Sequence, residues 1–464
     1  MEVTEKKLQD NNMKEATHIV REVPDQHDAR DFDVYGDEEE ADIKYRTLVW
    51  WKAAALMLAE TVSLGILSLP SVFASLGMVA GIILVIGLGL IATATGYVLG
   101  MFKLRYPHVH NMADVGYIIA GPIGREVLGA AQIIFIVFVC GSHVLTGLIA
   151  FDTITAGASC SVLWAGISAI ICMVLTIPRT LDGISYLSVA SFISIMSKSR
   201  WFGEITEFLT NPVTAAVLIT MIGVGVAGHT GTVRVTADLS FASGFLAVTD
   251  IDFAKALFAL QISDTTLYLV CGIVVYAYVG ENATSPALGN TGVTLRKIAF
   301  GIALPTIMIA GVINGHVCAK MDSEANRTAL NRFRRNGKDS HHMTSHTAVG
   351  WATWVGICVA VWAAAFIIAE VIPFFNDLLG VISAIFASWF TYGISGILWF
   401  HLTPKEQRWT TKFQKAKTIF WCFVILMGAF IMVAGLYSSI QDIVNGYRDG
   451  SFGKPFSCVS RAML

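Results

Sequence analysis

Charge is what this chain has least of. Asp, Glu, Lys and Arg together make up 14% of its 464 residues, where an ordinary soluble domain carries about 25%. So few polar residues cannot cover many long apolar runs, and a water-soluble enzyme, a nucleic-acid binder and a disulfide-rich secreted module are excluded. Cys/His metal spacing, a Ser/His/Asp arrangement and a Walker motif are absent too, so the sequence gives no support for a metal or an enzymatic activity. Gly223-Val-Gly-Val-Ala-Gly228 fits a dinucleotide fingerprint by letter only. No strand precedes it, and its small residues suit helix packing. Nor does the first stretch hold an apolar segment of the kind a cleaved signal peptide needs, so insertion is expected to use the first span.

What is present is hydrophobicity, at 55% of residues and a mean hydropathy of +0.63. Apolar runs at 50 to 76, 78 to 101, 127 to 151, 161 to 177, 256 to 279, 298 to 319, 348 to 369, 374 to 400 and 416 to 437 approach the ~20 residues that cross a bilayer core as helix. Two weaker stretches, 184 to 196 plus 214 to 228 and a short run at 241 to 248, bring the expected number to eleven. Runs this uniformly apolar lack the alternation of barrel strands, so the fold class is all-α, a polytopic integral membrane protein.

Fourteen acidic against five basic residues fall between Met1 and Asp42, which makes this segment near -9 and the remainder near +7. Residues 1–45 are expected to form a disordered acidic cytosolic tail, 46–442 the membrane domain and 443–464 an extracellular or lumenal tail. With the amino terminus inside, Lys44, Arg46, Lys52, Lys103, Arg105, Arg125, Arg179 and the basic runs at 320 to 338 and 405 to 417 all face the cytosol, and only Arg234, Arg296 and Lys297 face outward. That bias obeys the positive-inside rule, but only for an odd number of crossings. Asn282-Ala-Thr is then a glycosylation acceptor on the outer side, while Asn326-Arg-Thr falls inside.

Four features bear on chemistry. In Glu60-Thr-Val-Ser63-Leu-Gly65-Ile66-Leu67-Ser68-Leu-Pro70, Gly65 is poorly held in a helix and Pro70 removes the bond to the carbonyl at 66, so a break is expected between 65 and 70. A broken helix at mid-membrane offers bare amides and carbonyls to a zwitterion; the alternative is a kink without function. Glu60 is an acid inside an apolar run, where ionisable groups usually line a pathway. His143 reads as the one histidine well inside a span, and with an ordinary pKa of about 6.5 it suits proton coupling as well as it suits a neutral bond between helices. Asn314 coordinates a substrate or ties helices together beside the small-residue face at Gly311 and Gly315. Cys140, Cys172, Cys271, Cys358 and Cys422, within spans, and Cys318, at a helix end, read as packing residues. Cys160 and Cys458 alone face outward, where a disulfide tying the tail over the outer mouth can persist.

Gly65-Ile-Leu-Ser-Leu-Pro-Ser-Val-Phe-Ala-Ser-Leu-Gly-Met78 resembles the first-helix signature of the amino acid/auxin permease family. Gly141-Ser-His-Val-Leu-Thr-Gly147, Phe300-Gly-Ile-Ala-Leu-Pro305, Glu370-Val-Ile-Pro-Phe-Phe-Asn-Asp-Leu-Leu379 and Lys454-Pro-Phe-Ser-Cys458 resemble its neutral amino acid permeases from filamentous fungi. The resemblance implies a proton-coupled symporter of neutral aliphatic and aromatic amino acids. It also implies two inverted five-helix repeats plus one helix, no cofactor beyond the proton gradient, and a plasma-membrane or vacuolar location. Its substrate would sit on the backbone around Ser63, Gly65, Ile66, Leu67 and Ser68, with Glu60 or His143 taking the proton. Two departures mark the chain: an insert at 197 to 213 splits the fifth helix, as retained intron sequence would, and a join at 247 to 256 omits about twenty residues of the family's sixth. An amino-acid sensor without transport, or an inactive product of a faulty gene model, are the competing expectations.

Overall fold

The computed structural model describes residues 66–178, 253–280, 283, 285–333, 348–372, 375–448 and 455–460, and all regular structure among them is helical. Eight of the nine stronger apolar runs, and the part of the first from 66 to 76, fall on helices; residues 50 to 65, the acidic segment, the insert at 197 to 213 and the weak runs lie outside the described residues. Seven of the described helices are long and apolar enough to cross a membrane.

Helix α1 (Ile66–Leu76) is separated from α2 (Met78–Arg105) by Gly77 alone. Its φ of 95° lies in the left-handed region that glycine enters without a Cβ clash, so the chain reverses at the boundary read from the apolar runs. Helix α3 (Met112–Ile154) starts earlier than the expected 127 because Asn111 caps it, its side chain accepting from the Asp114 amide. Ala120 and Gly121 leave helical geometry ahead of Pro122, so a short first helix is kinked against the long apolar one. Across that kink Gly116 and Gly124 touch backbone to backbone, since a Cβ on either would lie 2.2 Å from the other's carbonyl oxygen.

Helices α4 (Ser161–Thr176), α5 (Phe253–Val279), α6 (Val293–Phe333) and α7 (Ala348–Val371) follow, with a short 3-10 turn at Ala287–Asn290 between α5 and α6. Next come α8 (Phe375–Ile382), a π-helical stretch at Ser383–Gly393 and α9 (Ile394–Leu402), which form one apolar span. Finally α10 (Lys412–Arg448) packs along that span where Gly428 meets the Ser388 carbonyl, Gly435 meets Ala384 and Ser439 meets Gly380. Small residues let the two backbones approach, as helices in lipid require in place of a hydrophobic drive. Helix α10 continues to Arg448, into the tail expected from 443.

Contacts sort the helix ends into two groups. The Tyr447 hydroxyl donates to the Val371 carbonyl at 2.9 Å, and Cys160 is bonded to Cys458, so α3, α7 and α10 finish at one end. At the other, the Trp354 indole donates to the Ile177 carbonyl at 2.8 Å, and Tyr106 meets His401 at 3.1 Å. Helix α6 runs antiparallel to α3, with Met308 on Gly147 and Cys318 near Ile133. Helix α5 runs antiparallel to α2, with Phe73 of α1 wedged between Gly272 and Gly81 and Thr265 lying on Gly89. Residues 178 and 253 therefore lie at the same end. Lys103, Arg105, Arg125, Lys320, Lys405, Lys412 and Lys417 gather there.

Candidate functional site

Helix α1 presents the first polar feature. Ile66 and Leu67 are wholly buried and Ser68 is nearly so. The chain is helical from Ile66 across Pro70 to Leu76, which corrects the expected break over 65 to 70 for its described part. Pro70 nonetheless has its predicted effect, for it has no N–H to offer the Ile66 carbonyl. The weak Cys271 thiol of α5 faces that oxygen at 3.9 Å. One residue on, the Leu67 carbonyl accepts from the Ser285 hydroxyl at 3.5 Å. Ser285 opens a segment whose Ala287 and Leu288 are fully buried, so it lies in the protein rather than over it. The Ile66 carbonyl, without its helical amide, thus faces a weak donor in a buried setting, where a stronger donor such as an ammonium would be favoured. Glu60, Ser63, Gly65 and Asn282 lie outside the described residues.

His143 holds the second. It is wholly buried on α3, and neither ring nitrogen has a hydrogen bond of ordinary geometry among the described residues; the main chain of Ile307 is the polar group its ring addresses. Its neighbours explain its placement. Gly311 of α6 leaves the space, since a Cβ there would come 2.9 Å from the His143 Cβ, and Trp362 of α7 covers both Gly311 and Gly315. The Trp362 indole is itself fixed by donating to the Thr176 hydroxyl of α4 at 3.1 Å. The face at Gly311 and Gly315 therefore receives two large side chains rather than a bare helix backbone. Asn314 beside it donates to the Ala310 carbonyl of its own helix at 3.1 Å, a bond that ties no second helix.

Cys271 of α5 reaches Ile66 and Ser285 reaches Leu67, while Gly311 of α6 and Trp362 of α7 enclose His143.

Other polar residues are buried that the apolar runs concealed. His316 lies wholly inside α6, edge-on to Trp354 at 5.1 Å, so His143 is not the only intramembrane histidine. It sits three residues from the expected end of its run at 319, where a polar residue passes as a flank. Asp152, Asp264 and Glu370 are buried as well; an acid inside or against an apolar run was the available signal. Cys140, Cys172, Cys271, Cys318 and Cys358 are buried, as packing residues should be, but Cys422 is exposed on α10, a correction. Cys160 and Cys458 are joined by a disulfide. Among the described residues no group of three or more His, Cys, Asp or Glu is placed to hold a metal ion.

Apolar helices of membrane-crossing length, with Val79, Leu90, Phe430 and Leu426 turned outward and histidine, acids and hydroxyls inside, define an integral membrane protein with a polar interior. Comparison with known proteins names the family. The model of the transmembrane amino acid transporter protein family matches residues 46–263 and 253–441, and the chain belongs to it. The two matched parts meet where the sequence shows its shortened join. The N amino acid transport system protein of Neurospora crassa is 35% identical over 460 residues, covering 92% of this chain and 91% of that one. A transmembrane transporter of Fusarium pseudograminearum is 29% identical, covering 90% and 89%, and Amino acid permease 1 of Arabidopsis thaliana is 25% identical, covering 87% and 91%. Among solved structures, a nucleobase-cation-symport-1 family transporter aligns with 92% of this chain and 98% of its own at a TM-score of 0.48 and 13% identity, too low to define this fold. The chain is thus a membrane amino acid transporter, and its relatives are transporters rather than enzymes.

Proposed function

We propose that this transporter is a symporter that carries neutral aliphatic and aromatic amino acids together with protons by alternating access, built from eleven helices as two inverted five-helix repeats plus one. The observation that supports this most is the Ile66 carbonyl, buried and deprived by Pro70 of its helical donor. The substrate's ammonium takes up that oxygen and its neighbour at Leu67, and amides in the run from Ser63 to Ser68 take its carboxylate. A neutral side chain suits the pocket because Ile66, Leu67, Phe73 and Cys271 are apolar and buried.

The proton rides on Glu60 or His143. A histidine without an ordinary hydrogen bond, held in a dry notch between Gly311 and Trp362, can change charge without first breaking a bond. The amino terminus lies in the cytosol, since the basic residues gather at the end of the bundle opposite the Cys160 to Cys458 link, and the plasma membrane is the location.

Uptake of radiolabelled leucine or phenylalanine in a transport-deficient host tests the reading. Uptake that rises as the outside is acidified and collapses with a proton uncoupler is the expected result. Uptake indifferent to both removes the proton, and no uptake of either amino acid removes the neutral substrate class.

A further inference from the structure

The segment 455–460 is attached at more places than a single disulfide requires. Cys458 is bonded to Cys160, just ahead of α4. On one side of that bond the Ser161 hydroxyl donates to the Ser457 carbonyl at 3.0 Å, and the Phe456 ring meets Phe366 of α7 with centroids 6.1 Å apart. On the other, the Ser460 hydroxyl donates to the Asp152 carboxylate of α3 at 2.9 Å. Ser460 reaches that wholly buried acid over Gly157, whose φ of +71° favours glycine and whose missing Cβ would lie 2.9 Å from the Ser460 oxygen.

Every one of these contacts is to α3, α4 or α7, or to the loop between α3 and α4. Cys271 of α5 and Ser285 are what meet Ile66 and Leu67. We infer that residues 455–460 are a clasp that holds the outer ends of α3, α4 and α7 together, and that they do not form a lid over the substrate's route. The link expected to tie the tail over the outer mouth thus serves a different element. The inference does not depend on the proton or on the choice of amino acid.

A clasp and a lid predict opposite results. The full-length protein is purified in detergent as wild type, Ser460→Ala and Cys458→Ser, and two quantities are read: the apparent Tm, and the rate at which a small polar maleimide alkylates Cys271, resolved by mass spectrometry. Cys271 reports on the Ile66 region because its thiol faces that carbonyl. For a clasp, Cys458→Ser lowers Tm by about 5 °C or more and Ser460→Ala by a smaller step, as loss of a long-range link should, while Cys271 alkylation stays within about twofold of wild type. If Cys458→Ser does not accumulate, folded wild type is treated with a dithiol. Two exchanges then leave Cys160 and Cys458 as thiols and the reagent as a cyclic disulfide, and the same fall in Tm is expected. An unchanged Tm overturns the clasp, and so does Cys271 alkylation accelerated about tenfold.

Discussion

Two groups of helices in this molecule pack by different means. In the first, indole hydrogen bonds join α7 to α4, Trp362 to Thr176 and Trp354 to Ile177, and His143 of α3 packs into the notch at Gly311 of α6. In the second, α1, α2 and α5 meet through an apolar ring on flat glycine surfaces, with Phe73 between Gly81 and Gly272. The outer side of α2 is given over to lipid, with Val79 72% and Leu90 68% exposed. Bonds of the first kind must be broken for the helices to shift, because each leaves an unpaired buried group costing about 1 to 3 kcal/mol. A ring on glycine can slide. Under the proposed alternating access, rigidity falls to the first group and movement to the second, and the inferred tail clasp reinforces the first.

The comparison breaks most clearly if Gly315→Val is tolerated. A Cβ at that position would already lie 2.7 Å from the Trp362 ring, and a branched side chain should cost about 3 kcal/mol or more, so little folded protein is expected on size-exclusion chromatography. His143→Asn keeps the size of the group and removes its proton. Uptake should fall at least tenfold, the remainder losing its dependence on external pH, and a pH profile that keeps its shape would leave Glu60 as the proton site. Gly272→Ala sharpens the contrast. It sets a Cβ 2.5 Å from the Phe73 ring, and the movable interface should answer with uptake reduced about fivefold and a Tm lowered by only a few degrees. Gly87→Ala on α2, with nothing within 4 Å of the added methyl, should raise stability by about 0.5 to 1 kcal/mol through helix propensity and leave uptake unchanged.

Much of this was legible along the chain. Apolar runs located the helices to within a turn at many of their ends, and Gly77 marked the turn between α1 and α2 at a single residue. Where the boundaries slipped, polar chemistry at the membrane edge was the reason. Asn111 starts α3 fifteen residues before its apolar run, and α10 continues through Gln441, Asp442 and Asn445 to Arg448. The π-helical stretch at Ser383–Gly393 left no mark in the sequence, since one extra residue per turn alters no hydropathy pattern. Pro70 announced a carbonyl at Ile66 without its helical donor, but could not say that Cys271 would face it from 205 residues farther along.

Scarce charge and long apolar runs by themselves determined that this chain lives in lipid as helices, because backbone polar groups have no other way to be satisfied there. They also nominated Ile66, Leu67 and His143, since proline chemistry and an ionisable group inside an apolar run are local facts. Burial of His316, Asp152 and Glu370, the glycine notch that seats His143 and the grip of Ser460 on Asp152 were decided only in three dimensions. Each depends on which distant helix arrives alongside, and that is a property of packing rather than of any one segment.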